Sequence, residues 1–216
     1  MCILQTPRRI ARAGFTLIEL LAVILIIGIL MVFLIPRIPE AINQARVTSC
    51  KQNMLEIYKG MMLYQTKFQR APAQSGVKFF AELVDKGALE NTEGVVKRLT
   101  CPGVDIGALD LGTIEDPKQW FVPLDQVDGR RSAYAGRDCK NHPLRHFPAS
   151  GDEALVADDN DGGNNHKTET VVLWGDGSVT TFELKSDKIR ELLHGEEHLE
   201  VGPGSPIESL RVLSLN

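Results

Sequence analysis

The sequence predicts an α+β fold in which one long N-terminal helix, transmembrane in its first half and amphipathic in its second, packs on a small antiparallel sheet. Three observations lead there. Residues 15–35 form a run of 21 positions with a single charge, Glu19, and no proline, long enough to cross a bilayer. Cys50, Met54, Ile57, Met61, Tyr64 and Phe68 then recur at steps of four, three, four, three and four, which makes one apolar stripe along a helix. Towards the C-terminal end, two apolar, β-branched runs flank Asp176-Gly177, a pair that accepts the positive φ angles of a tight hairpin turn.

The chain opens on a basic leader, residues 1–14, with Arg8, Arg9 and Arg12 and no acidic residue. A secretory signal places its small-residue cleavage site after the apolar stretch. Here the small residue, Gly14, stands before it, in Arg12-Ala13-Gly14-Phe15-Thr16-Leu17-Ile18-Glu19. Cleavage after Gly14 would remove the arginines and keep the helix. The arginines also orient the span, holding the leader in the cytoplasm and placing everything after residue 36 on the far side. Glu19 stands inside the apolar run, where a carboxylate persists only with a partner.

Pro36 ends the apolar run of the transmembrane segment, residues 15–36, and the amphipathic continuation covers 37–70, with Pro72 just beyond its end. A helix from Phe15 to about Phe68 would be roughly 80 Å long at 1.5 Å per residue. The globular part, 71–200, begins with a short amphipathic helix over 79–89, closed by Gly87 in a left-handed cap. Residues 100–130 are rich in Gly, Pro and Asp and read as loop. Strands are expected at Ala154–Ala157 and in the hairpin over Glu169–Leu184, with a weaker one at Ser132–Ala135. Lys188–His194 reads as a closing helix, and residues 201–216 as a loose tail. Residues 71–216 hold 15 Lys/Arg against 25 Asp/Glu, so non-specific nucleic-acid binding is not expected.

Gly14-Phe15-Thr16-Leu17-Ile18-Glu19-Leu20-Leu21 behind a short basic leader resembles the signature of type IV pilins and type II secretion pseudopilins. That resemblance implies a pilin-like fold, cleavage between Gly14 and Phe15 by a prepilin peptidase, and methylation of the new Phe15 amino group. It implies that Glu19 pairs with the Phe15 ammonium of a neighbouring subunit during assembly, and that Pro36 kinks the helix. The partners it implies are other pilin or pseudopilin subunits, the inner-membrane assembly machinery and the lipid bilayer. The protein would be a single-pass inner-membrane protein before assembly, with its globular domain in the periplasm or outside the cell.

A second resemblance lies further on. His166, nine intervening residues and Asp176-Gly177, together with Cys50 in the spine and Cys101-Pro102 after the short helix, are similar to the His-x9-Asp-Gly domain of planctomycete-type prepilin-like proteins. Residues 104–150 fall outside it. His166 with Asp176 offers the base-and-orienter half of a hydrolase site, but no Gly-x-Ser-x-Gly elbow or oxyanion loop accompanies it. The plainer reading is that His166 hydrogen-bonds the hairpin while Asp176-Gly177 makes its turn.

Two metal sites have residues of suitable type. Asp158, Asp159 and Asp161 cluster oxygens that suit calcium, though without EF-hand spacing, and a solvated acidic loop is the plainer reading. Cys139, His142 and His146, with Cys101, give a Cys-x2-His-x3-His pattern within reach of zinc. In an oxidising compartment cysteines more often pair with each other. Of the disulfide candidates Cys50, Cys101 and Cys139, the family resemblance favours Cys50 with Cys101. No catalysis and no cofactor are required by the pilin reading. The competing one is a membrane-anchored binding or enzymatic module that uses the prepilin route for export.

Overall fold

A computed structural model describes residues 15–109, 111, 112, 114–158 and 164–216. By its internal contacts the chain divides at Ala41/Ile42 into two units. In the first, α1 (Leu17–Leu34) starts at Thr16 and gives way at Ile35–Arg37 to a single 3-10 turn containing Pro36. Proline has no N–H to return to the preceding turn, which is why the α-helical ladder breaks there. The next helix, α2 (Ile38–Phe68), carries Pro39 in its first turn, where the missing donor does no harm.

The second unit holds the rest of α2 and every strand. Val47, Cys50, Met54, Ile57, Met61 and Tyr64 are all buried, which is the stripe that the sequence spacing predicts. Phe68 is only partly covered, against the same core. After α2 come α3 (Val77–Asp85), a single turn α4 (Glu93–Val96), a series of 3-10 turns through residue 131, and late in the chain α5 (Asp187–Leu193). Gly87 follows α3 at φ +64°, the left-handed conformation expected of it.

Five strands, β1 (Ala135–Arg137), β2 (Ala154–Ala157), β3 (Glu169–Trp174), β4 (Val179–Glu183) and β5 (Leu213–Ser214), form one sheet in the order β4-β3-β2-β1-β5. Every neighbouring pair is antiparallel. Alternation along β3 sends Val171 and Leu173 to the core shared with α2 and α3, and Val172 and Trp174 to a second core. Leu193 of α5, Leu199, Val201, Leu210 and Leu213 build that second core.

Two expectations change. The weak strand foreseen at Ser132–Ala135 is displaced to Ala135–Arg137, where Gly136 lets the backbone of Gly76 approach within the space a Cβ would fill. The tail from residue 201 is not loose: Leu210 and Leu213 are fully buried and β5 pairs with β1. The cause is that β2 and β3 are apolar on both faces, and a sheet of that kind needs a second cover.

Candidate functional site

Helix α1 presents an apolar surface with Glu19 as its one charged residue. Every residue of α1 is exposed, from Leu17 at 81 % to Leu34 at 56 %. Apolar side chains in that number require lipid or protein around them. Among the described residues this is the one helical stretch long and apolar enough to cross a membrane. At its start Thr16 and Glu19 form a reciprocal capping box: the Thr16 N–H donates to Glu19 Oε2 at 2.9 Å, and the Glu19 N–H donates to Thr16 Oγ1 at 3.3 Å. Within the chain, then, the Glu19 carboxylate accepts from the N–H and hydroxyl of Thr16, while Thr16 Oγ1 takes the Glu19 N–H. Phe15 is 75 % exposed beside it.

Residues 9–35 match the family model of the prokaryotic N-terminal methylation motif. No curated protein and no solved structure matches the chain. The methylation motif therefore covers the basic leader from Arg9, the Gly14-Phe15 junction, Glu19 and the apolar helix, and ends just before Pro36. Gly14 and the rest of the leader lie outside the described residues.

A second constellation is buried in the other unit. Cys50 comes from the middle of α2, Cys101 from the turn after α4, Asp158 from the end of β2 and His166 from the approach to β3. One ligand-type atom of each lies within 4.8 Å of all the others, and all four residues are 0 % exposed. His166 Nε2 is 3.2 Å from both Asp158 Oδ2 and Cys101 Sγ. Cys50 Sγ is 3.7 Å from Asp158 Oδ2 and 3.4 Å from Tyr134 Oη. The surroundings hold these groups in place: the Gly103 N–H donates to Cys101 Sγ at 3.3 Å, and the Val171 N–H donates to Asp158 Oδ1 at 2.7 Å. Tyr134 is wedged edge-on to Phe80.

Burial pushes the Cys50 thiol well above its ordinary range, and burial likewise raises Asp158. Burial also opposes charge on Cys101, but hydrogen bonds from Cys50 and His166 outweigh it and bring that thiol down. Desolvation works against a charged His166, yet Asp158 and Cys101 together hold its pKa up. A low thiol beside a raised imidazole is the polarity of a reactive cysteine. Complete burial nevertheless leaves no open face at which a substrate would meet it.

The sequence-predicted residues are redistributed by this arrangement. His166 does not pair with Asp176, because its carboxylate partner is Asp158. Asp176 instead accepts from the Ser178 N–H and Oγ–H at 2.9 and 2.7 Å in the turn between β3 and β4, with Gly177 at φ +87°. Half of the plainer reading holds, since Asp176-Gly177 makes the turn. Asp158 faces the core rather than an acidic surface loop, which removes it from the calcium set, while Asp159 and Asp161 lie outside the described residues.

The zinc pattern is not assembled either: Cys101 is engaged with His166, Cys139 Sγ lies 3.7 Å from the Pro72 carbonyl, and His142 and His146 are exposed. Cys50, Cys101 and Cys139 are all free thiols, and Cys50 with Cys101 is the pair brought together. Asp158 as the fourth member was missed. Its signal was position, one residue beyond the fully buried run Ala154–Ala157.

Proposed function

We propose that this chain is a pilin-like subunit, matured by a prepilin peptidase between Gly14 and Phe15 and assembled through α1 into a type IV pilus-like or type II secretion pseudopilus filament. The observation that carries it is the methylation motif over residues 9–35, supported by an apolar helix with no cover from its own chain and a helix-on-sheet domain behind it. In the assembled state the Glu19 carboxylate pairs with the Phe15 ammonium of the next subunit, an attraction strengthened by the low dielectric of the filament interior. The globular domain then stands in the periplasm or outside the cell. The partners are the peptidase, the inner-membrane assembly machinery, other pilin-type subunits and, before assembly, the bilayer.

The capping box gives Glu19 a second role, as the helix cap of its own chain, and substitution separates the two. Glutamine at the third helical position still completes a capping box but carries no charge, whereas alanine removes both. In the native host, Glu19→Gln and Glu19→Ala should both be cleaved normally and both fail to enter filaments, scored by sheared-filament immunoblot and intact mass. Assembly of Glu19→Gln at the wild-type level would reject the charge pairing. An uncleaved chain beginning at Met1 would reject the maturation itself, and leave a membrane-anchored domain.

A further inference from the structure

We infer that Cys50, Cys101, Asp158 and His166 form a closed tetrahedral zinc site that pins the spine helix to the sheet. The donor set is two sulfurs, one imidazole nitrogen and one carboxylate oxygen, from four separate segments. Those are the ligand types zinc takes, and a site with four protein ligands and no open position is the structural kind. The spacing is near that of a bound ion: all four donor atoms lie within 4.8 Å of one another, and small side-chain movements complete the fit. Zinc bonds of about 2.0–2.3 Å set tetrahedral edges of roughly 3.3–3.8 Å, and three of the edges here are 3.2, 3.2 and 3.7 Å.

The outer partners also match such a site. Ligand atoms of metal centres are oriented by second hydrogen bonds. The Gly103 N–H and the Tyr134 hydroxyl point at the two sulfurs, and the Val171 N–H takes the free carboxylate oxygen, leaving Oδ2 for a metal. On binding, Cys50 and Cys101 coordinate as thiolates and His166 as a neutral imidazole through Nε2, its one proton on Nδ1, and the protons displaced from the cluster pass to solvent. The resulting centre, two thiolates and a carboxylate around Zn2+, carries one net negative charge, which the surrounding N–H and O–H donors disperse. Without a metal the same core encloses a carboxylate, an imidazole and two thiols. Burying that many ionisable groups together is costly even where they hydrogen-bond one another.

The alternative for the two sulfurs is a Cys50–Cys101 disulfide, and the two states exclude each other. The full chain, purified in detergent without added reductant or chelator, should contain about one zinc per protein by elemental mass spectrometry, with an intact mass in which all the thiols retain their hydrogens once the metal is stripped in acid. Cys139→Ser should keep the zinc, while Cys50→Ser and Asp158→Ala should lose it. Because those core variants can also fail to fold, the wild-type chain is refilled with Co2+ after chelation. Intense visible bands of tetrahedral cobalt, with sulfur-to-metal charge transfer in the near ultraviolet, are the expected result. A chain lighter by two hydrogens, with the bridge mapped to Cys50 and Cys101, overturns the proposal. So does a reduced chain that holds no zinc and gives only the pale spectrum of octahedral cobalt.

Discussion

Glu82 shows how much a single side chain can carry. Only 2 % exposed, it accepts from the Tyr64 hydroxyl at 2.6 Å, from the backbone N–H groups of Ala73 and Gln74 at 3.1 and 3.4 Å, and from Arg70 at 3.4 Å. It therefore ties the C-terminal end of α2, the connection after it and α3 to one carboxylate. Burial and the neighbouring carboxylate raise the Tyr64 pKa, so the phenol stays a donor. Glu82→Ala would strand that phenol and two N–H groups and should cost about 3 kcal/mol, measured by denaturant unfolding of the detergent-solubilised chain through the buried Trp120 and Trp174. Glu82→Gln keeps an acceptor and should lose clearly less. The Arg70 contact adds little, since its side chain is half exposed and screened.

Among the elements, the β3–β4 hairpin and the short strand β1 depend on glycine for different reasons. Gly177 holds φ +87° in the turn, a conformation that costs any other residue about 1 kcal/mol. Gly177→Ala should destabilise by at least that much. Asp176→Asn should shift stability by less than about 1 kcal/mol and leave the Cys50–His166 cluster unchanged, because the Asp176 carboxylate bonds Ser178 of its own turn and lies against Gly151, not against the cluster. That pair of results would divide the His-x9-Asp-Gly pattern into a buried histidine with a core partner and a turn with a local task. In β1, a Cβ on Gly136 would run into the Gly76 carbonyl. Gly136→Ala should therefore cost about 1–3 kcal/mol through backbone displacement, read by the same unfolding assay.

At the scale of the globular unit, the sheet has two covered faces and two separate cores. The α2–α3 side carries most of the buried aromatic residues and the Cys/His/Asp cluster. The other side is completed by α5 and by chain from residue 199 onward. Leu210→Ala discriminates between a packed and a loose C-terminal segment: the side chain is fully buried, so its truncation should cost about 3 kcal/mol, whereas a loose segment would register no change. Limited proteolysis of the same variant should release the residues after about Val201 before any other part of the unit. The apolar helix α1 stands outside this accounting, because none of its residues is buried.

By itself, the sequence determined the features that local chemistry decides. Hydrophobic period placed the buried stripe of α2, turn composition placed the β3–β4 hairpin, β propensity placed Ala154–Ala157, and a run of apolar residues behind Gly14 marked the methylation motif and the candidate membrane helix. Each of those signals lies within a few residues of what it specifies. The pairing of β5 with β1, the inward turn of Asp158 and the meeting of Cys50, Cys101 and His166 were decided only by tertiary structure. They join residues 8 to 116 positions apart, and what brings them together is the need to cover both faces of an apolar sheet, a requirement that no short window of sequence expresses.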